Sequence, residues 1–232
     1  MDFETIIQYD KKILLLLNGS DSLFLDGFVM ALTTATTWIP LYVALFYLVL
    51  KNNENVRQIF LVVLSAAMCV LLAGTVDDTI VKPLVARLRP THDPEIGLLV
   101  DVVNGYRGGQ YGFFSAHAAN TFSIAIFFSL LVRSNILSLM LILWSLTNAW
   151  TRIYLGVHYP GDILCGLLWG GVVGLFIYWI YNYISIRIKE TNSYVSSQYT
   201  VTGYQHSDVA IVLIVMFLSL IYCLFRGCLM MV

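Results

Sequence analysis

The sequence predicts an all-α, polytopic membrane protein: a six-transmembrane-helix bundle preceded by an N-terminal interfacial helix. The first observation is composition, since 59% of the 232 residues are hydrophobic, against about 45–50% in soluble domains. The second is arrangement, because the apolar residues fall in runs near the roughly 20 residues that a helix needs to cross a bilayer. The third is charge, because a net charge of −1 offers no basic surface to nucleic acid.

The N-terminal segment, residues 3–17, is amphipathic and leads into the stretch ILLLLNG. Its apolar run is too short to span a membrane, so it predicts an interfacial helix that ends at Asn18 and Gly19. The preceding MDFETIIQYDKK is acidic and mixed, unlike the basic start of a cleavable signal peptide. Insertion is therefore expected to depend on the first span.

Apolar segments long enough to cross a membrane follow in order. They are Leu23–Leu50 (which contains Pro40), Ile59–Val81, Ser115–Val132, Ile136–Leu155, Gly161–Ile184 and Val209–Phe225. They predict a single membrane-embedded domain over residues 1–232, with a core at about 20–186, a polar loop at 187–208 and a last span at about 209–225. The fifth segment carries a small-residue face for close helix packing, formed by Gly166, Gly170 and Gly174.

The distribution of basic residues predicts the orientation. With six spans both termini lie on one side, and the loops divide into two sets. One set holds Lys51, Arg57, Arg133, Arg187 and Lys189. The other, apart from the polar clusters described next, holds Lys11, Lys12, Arg107 and Arg226. The positive-inside rule places the first set in the cytoplasm and the polar clusters outside.

The first polar cluster is KPLVARLRP, residues 82–90. Lys82 and Arg89 are seven positions apart, about two turns of a helix, so on a helix both would face one way. Two cations on one face suit a bridging anion, although a basic patch against lipid headgroups is the alternative. Arg87 falls off that face and is expected in solvent.

The second cluster is FFSAHAAN, residues 113–120. Ser115 and His117 open an apolar helix, whose first N–H groups are unpaired and carry the positive end of the dipole. Such an end binds phosphate. The alternative for His117 is a capping or interface histidine with its own partner.

The third cluster is TRIYLGVHYPGD, residues 151–162. His158 and Asp162 are four apart, around a Pro160 that suits the first turn of a helix. Asp162 can reach back to one imidazole nitrogen, which raises the basicity of the other. Arg152 adds a planar fork that matches phosphate oxygens. The alternative is an Arg152–Asp162 ion pair beside a bystander histidine.

Together the clusters supply cations, a hydroxyl, two histidines and a carboxylate, which suit a phosphate monoester or a pyrophosphate. Asp77 and Asp78 precede Lys82 and are interpreted as supporting or pairing residues. The four cysteines have no metal-ligand spacing, and neither a metal site nor a cofactor is predicted.

With these residues in place, the sequence resembles the type-2 phosphatidic acid phosphatase superfamily of membrane lipid phosphatases over about residues 20–186. The family's motifs are K-x6-RP, PSGH and SR-x5-H-x3-D. Here they are Lys82…Arg89-Pro90, Phe114-Ser115-Ala116-His117 and Thr151-Arg152…His158…Asp162. Order and spacing are kept, while Phe114, Ala116 and Thr151 replace Pro, Gly and Ser. Ala116 matters most, because glycine lets the backbone approach a phosphate closely.

The resemblance implies metal-independent hydrolysis of phosphate on a membrane lipid. It makes His158 the nucleophile that forms a phosphohistidine, Asp162 the residue that orients it, and His117 the general acid and base. The phosphate oxygens would be held by Lys82, Arg89, Ser115 and Arg152. The expected location is the bacterial inner membrane, with the active site facing the periplasm.

Among substrates, lipid A and undecaprenyl diphosphate are favoured, with phosphatidylglycerophosphate and phosphatidic acid as alternatives. A non-catalytic protein that binds or transports lipid phosphates is the alternative of a different class, although binding alone needs no nucleophile. A haloperoxidase with a related pocket is disfavoured, because those enzymes are soluble. In the loop at 91–114, His92 and Arg107 either read the headgroup or are solvated.

Overall fold

A computed structural model describes residues 2–187 and 197–231, and within them the chain is helical. Backbone pairing of the β type is limited there to single bridges, Leu88–Tyr111 and Tyr199–Gln205. The helices are α1 (Phe3–Leu17), α2 (Leu23–Thr33), α3 (Ile39–Lys51), α4 (Val56–Val70), α5 (Lys82–Val85), α6 (Ala116–Val132), α7 (Asn135–Tyr154), α8 (Pro160–Ser185) and α9 (His206–Leu229). The predicted all-α class is confirmed for the described part of the chain. Most of the predicted polar loop, residues 188–196 with Lys189, lies outside it.

The first predicted span is not one continuous helix. Helices α2 and α3 are bent by 65° at a break, where Ala35–Trp38 forms a 3₁₀ turn. Pro40 stands in the first turn of α3, a position that needs no N–H, and it disfavours helix continuing through from before. A carbonyl left free at the break is satisfied by a side chain, since Thr37 Oγ1 donates to Ala31 O at 2.8 Å.

By length and composition, four helical segments of the described chain can cross a membrane, or five if the bent α2–α3 pair counts as one span. The four are Val56–Val85, α7, α8 and α9. Helix α6, counted as a span from the sequence, is apolar but only 17 residues long. By length and composition, the described helices therefore supply four or five candidate spans, fewer than the predicted six.

The segment Val56–Val85 joins α4 to α5 through two π-helical turns, Leu71–Thr75 and Asp77–Val81. Such turns re-aim side chains within a helix and often lie near functional sites. Helix α5 ends at Val85, and the next residue, Ala86, is left-handed with φ 49°. The expectation that Lys82 and Arg89 share a helix face is thus wrong, because Arg89 lies beyond the helix.

Helix α6 packs along α8, and the predicted small-residue face lies between them. A Cβ atom added at Gly170 would lie 2.3 Å from the carbonyl oxygen of Ala119, closer than a real side chain can approach. Gly166 and Gly174 meet the α6 backbone in the same way, at 2.6 and 2.7 Å. The packing role predicted for these glycines is confirmed, and it places the start of α6 beside the start of α8.

A helix is also present where the N-terminal interfacial helix was predicted. Helix α1 contacts α7 and α8, and Leu14 on its inner side is fully buried. On its outer side Ile6 and Leu16 are 50% and 83% exposed. The first helix is thus amphipathic and packs against the chain segments that carry the third polar cluster.

Candidate active site

Lys82 faces two carboxylates on its own helical segment. Its Nζ lies 3.0 Å from Asp77 Oδ2 and 2.5 Å from Asp78 Oδ1, as expected of pairing residues. Asp77 is fully buried, and its other oxygen accepts a hydrogen bond from the Phe114 N–H at 3.1 Å. Asp77 therefore links Lys82 of the first polar cluster to Phe114 of the second.

Arg89 reaches the third cluster from an extended segment. Its main-chain N–H donates to Gln110 O, and its Nε donates to Tyr111 O, both at 3.0 Å. Its Nη1 donates to Val157 O at 3.2 Å and lies 3.2 Å from His158 Nε2. Arg89 is 8% exposed, so its guanidinium is a buried cation held against the histidine.

The second cluster opens α6 as predicted. Ser115 is the N-cap: its Oγ accepts from the Ala118 N–H at 3.4 Å, and its own N–H donates to Asp162 O at 3.1 Å. Ala116 is the first helical residue, a conformation that does not require glycine. His117 follows, and within the described residues its Nε2 is buried without a hydrogen-bond partner.

Arg152 lies in the last turn of α7 and is 7% exposed. Its Nη1 donates to Thr33 Oγ1 at 2.8 Å and its Nη2 to Tyr106 OH at 3.0 Å. In the part of the chain that the structure describes, its Nε has no partner and no carboxylate pairs with it. The Arg152–Asp162 ion pair, the alternative for this cluster, is not formed, because Asp162 pairs with Arg87.

The ring of His158 is oriented by a carbonyl group. His158 Nδ1 lies 2.8 Å from Gly112 O, whereas Asp162 Oδ2 is 3.6 Å away. A carbonyl oxygen only accepts, so we assign the proton to Nδ1 and the lone pair to Nε2. The contact of Nε2 with Arg89 agrees, because a guanidinium only donates.

His158 is electrically neutral in this setting. Its burial and the positive charges of Arg89 and Arg152 hold the pKa of His158 well below its ordinary value of 6.5. The charge of Lys82 acts on the same pKa in the same direction. The three cations predicted for the site therefore lie close enough to His158 to act on it together.

Arg87 was expected in solvent, and this expectation is wrong. Its Nη1 lies 2.7 Å from Asp162 Oδ1, and its Nη2 lies 2.7 Å from Asp10 Oδ2. Burial alone would lower the pKa of Arg87, but the charges of Asp162 and Asp10 raise it above its ordinary value. The other Asp162 oxygen accepts from the Tyr159 N–H at 3.0 Å. Asp162 is thus held from both sides.

Sequence reasoning missed several residues that hold the site. They are Asp10, Thr33, Arg87, Tyr106 and Gly112. Arg87 carried a usable signal, since an arginine between apolar segments is costly unless it is paired. Gly112 contacts His158 and Tyr106 contacts Arg152, each across 46 residues of chain, and no local sequence pattern predicts such contacts.

Comparison with known proteins finds a matching family model and similar phosphatases. The family model of the PAP2 superfamily matches residues 56–186. The chain is 40% identical over 188 residues to the lipid A 4′-phosphatase of Bacteroides thetaiotaomicron, covering 80% of this chain and 83% of the relative. For the lipid A 4′-phosphatase of Porphyromonas gingivalis the identity is 35% over 186 residues, covering 79% and 78%.

The fold has a counterpart among solved structures. It resembles the transmembrane PAP2 type phosphatidylglycerolphosphate phosphatase from Bacillus subtilis, with a TM-score of 0.55 over 82% of this chain and 89% of that one. At 18% identity this likeness bears on the fold alone. The match to the family model spans more than half of the 232 residues. The chain belongs to the PAP2 superfamily and is a lipid phosphatase.

Proposed function

We propose that this protein removes phosphate from lipid A, with the 4′-phosphate favoured, through a phosphohistidine formed on His158. The observation that carries the proposal is that His158 is neutral and that its Nε2 faces the buried Arg89. Among the described residues, Arg89 has no ion-pair partner. The relative that is 40% identical over 80% of this chain, a lipid A 4′-phosphatase, favours lipid A over undecaprenyl diphosphate. Phosphatidylglycerophosphate and phosphatidic acid are the remaining alternatives.

In the first step the Nε2 lone pair of His158 attacks phosphorus and forms an N–P bond. The bond from phosphorus to the lipid oxygen breaks, and its electron pair goes to that oxygen, which takes a proton from His117. Arg89 and Arg152 stabilise the charge on the transferring group, together with the first N–H groups of α6 behind Ser115. Lys82 adds a further positive charge nearby.

In the second step water attacks the phosphorus of the phosphohistidine. His117 takes the proton from water and is restored to its starting state. The N–P bond breaks and its electron pair returns to His158 Nε2, releasing inorganic phosphate. Between the two steps the imidazole ring is positively charged, and the buried carboxylate of Asp162, 3.6 Å from Nδ1, stabilises that charge.

We also propose that the chain forms one catalytic unit over residues 1–232 in the bacterial inner membrane, with the site facing the periplasm. The unit has six spans if the bent α2–α3 pair and the shorter α6 each cross the bilayer. Helix α1 then lies at the outer membrane surface. Its exposed apolar side and its contacts with the ends of α7 and α8 support this placement.

Phosphate release from purified protein tests the proposed function. Lipid A, undecaprenyl diphosphate and phosphatidylglycerophosphate are offered separately to the wild type and to His158→Ala. We expect the wild type to turn over lipid A fastest, and His158→Ala to lose at least about a thousandfold in kcat, because it lacks the nucleophile. Brief reaction with ³²P-labelled lipid A is expected to leave an acid-labile, alkali-stable label on the wild type only.

Two results would contradict the proposal in different ways. Retained turnover in His158→Ala would remove the nucleophile assignment, whichever lipid is used. Faster release from undecaprenyl diphosphate than from lipid A would keep the chemistry and replace the substrate. His206→Ala, at the far end of the chain in the first turn of α9, serves as the matched histidine control and is expected to keep wild-type kcat.

A further inference from the structure

Arg87 is held along both edges and one face. One edge contacts Asp162 Oδ1 and the other contacts Asp10 Oδ2, each at 2.7 Å. The guanidinium carbon lies 4.0 Å from the centre of the Tyr159 ring. These contacts hold the planar guanidinium of Arg87 in one orientation, in which it bridges the carboxylates of Asp162 and Asp10.

The carboxylate of Asp162 depends on this bridge. Asp162 is fully buried, and a buried charge is tolerated only when it is paired and hydrogen-bonded. Among the described residues, Arg87 is its only permanently charged ion-pair partner, because His158 is neutral. Arg87 therefore favours the ionised form of Asp162 and fixes the position of the oxygen that faces His158.

Asp10 brings the N-terminal helix into the same network. One of its oxygens pairs with Arg87, and the other accepts from the Gly161 N–H at 2.8 Å, in the first turn of α8. The neighbouring Lys11 also ties α1 down, through Asp93 at 2.9 Å and Glu95 at 2.7 Å. Unlike Asp10, Lys11 has no contact with Arg87 or Asp162.

We infer that Arg87 and Asp10 are positioning residues for phosphoryl transfer, acting on His158 through Asp162. The inference rests on the proposed phosphohistidine chemistry. When both carboxylates are ionised, Asp10 and Asp162 carry two negative charges against one positive charge on Arg87, so the network has one negative charge left over. That charge balances the imidazole ring when its Nε2 is bonded to phosphorus. Helix α1 thus contributes to catalysis as well as to anchoring.

The test compares kcat with phosphate affinity, since positioning and structural roles affect them differently. For Arg87→Gln we expect kcat on lipid A to fall about 100-fold, and for Asp10→Asn about 5-fold. The inhibition constant of inorganic phosphate is expected to stay within about threefold of wild type in both variants, because the phosphate-binding arginines are untouched. Arg87→Lys keeps the charge but not the fork, and is expected to recover part of the lost kcat.

Lys11→Met is the matched control, because it removes an anchor of α1 that contacts neither Arg87 nor Asp162 directly, and it is expected to keep wild-type kcat. Equal losses in Lys11→Met and Asp10→Asn would overturn the inference and leave α1 a structural anchor. So would wild-type kcat in Arg87→Gln, or a loss of kcat accompanied by an equal loss of phosphate affinity. The variants are compared with a wild type that has first been shown to form the phosphohistidine. A wild type without that label would contradict the proposed function itself, separately from the inference on Arg87 and Asp10.

Discussion

At the residue scale, the surroundings of His158 lower its pKa, and the proposed mechanism makes the pH dependence of activity follow that pKa. Burial and the charges of Arg89 and Arg152 lower the pKa of His158 well below 6.5. Protonation would block Nε2, so the acid limb of kcat/KM that belongs to this residue is expected below pH 6.5. Arg89→Gln removes one of the charges while burial remains, so the limb should move upward without passing 6.5.

Profiles of kcat/KM against pH, for the wild type and Arg89→Gln, check this prediction. Arg107→Gln is the matched control, because Arg107 is exposed in the loop and is not among the charges that act most on the pKa of His158. Its acid limb should coincide with that of the wild type. An acid limb that stays in place in Arg89→Gln would mean that another group, such as the substrate phosphate, sets it.

Which residues were predictable depends on how far along the chain their partners lie. Lys82, Arg89 and Arg152 were selected by spacing, and the structure places all three near His158. The shared helix face predicted for Lys82 and Arg89 is nevertheless wrong, because the helix ends between them. The contact of Nδ1 with Gly112 was unpredictable, because a backbone carbonyl has no signature in the side chains.

At the element scale, the α6–α8 contact controls how the second and third clusters meet. A methyl group at Gly170 would lie 2.3 Å from Ala119 O, and backbone cannot move aside as a flexible side chain can. We therefore expect Gly170→Ala to destabilise the protein by about 1–3 kcal/mol and to separate Ser115 from α8. Thermal unfolding in detergent and phosphate release are both expected to decline.

Gly171→Ala provides the neighbouring comparison for this prediction. There the added Cβ would lie 3.3 Å from a ring carbon of Phe122, a side chain that can give way. This variant is expected to stay close to wild type in both measurements. If Gly170→Ala were equally mild, the two helices would have to be less tightly packed than the structure shows.

The sequence predicts where some helices begin, but it does not predict where helices bend or change their hydrogen-bond register. The start of α6 at Ser115 was predictable, because a serine stands directly before an apolar run. The 65° bend between α2 and α3 is not predicted by the pattern of apolar residues, despite Pro40, because apolarity continues through the break. The π turns before Lys82 leave even less trace, since they change the hydrogen-bond register and not the pattern of apolar residues.

At the scale of the whole molecule, the helical class was predictable from the long apolar runs, and the family was predictable from the spacing of its motifs. The number of spans was harder to predict, since length alone does not decide whether a short apolar helix such as α6 crosses the membrane or is buried in the protein. The role of α1 was hardest to foresee. Its amphipathic pattern predicts a surface position, while its ion pairs with Arg87 and with the loop at 91–114 depend on tertiary structure.

The orientation of the molecule gives the last prediction. If the site faces the periplasm, Leu98, which is 102% exposed in the loop at 91–114, lies outside the cell, and exposed Glu54 between α3 and α4 lies inside. Single cysteines at these positions, in a chain whose four native cysteines are replaced, report the side. An impermeant maleimide added to spheroplasts should label Leu98→Cys at once and Glu54→Cys only after lysis. The reverse pattern would turn the site toward the cytoplasm, and labelling of both in intact spheroplasts would mean that no helix between them crosses the membrane, against the six-span arrangement.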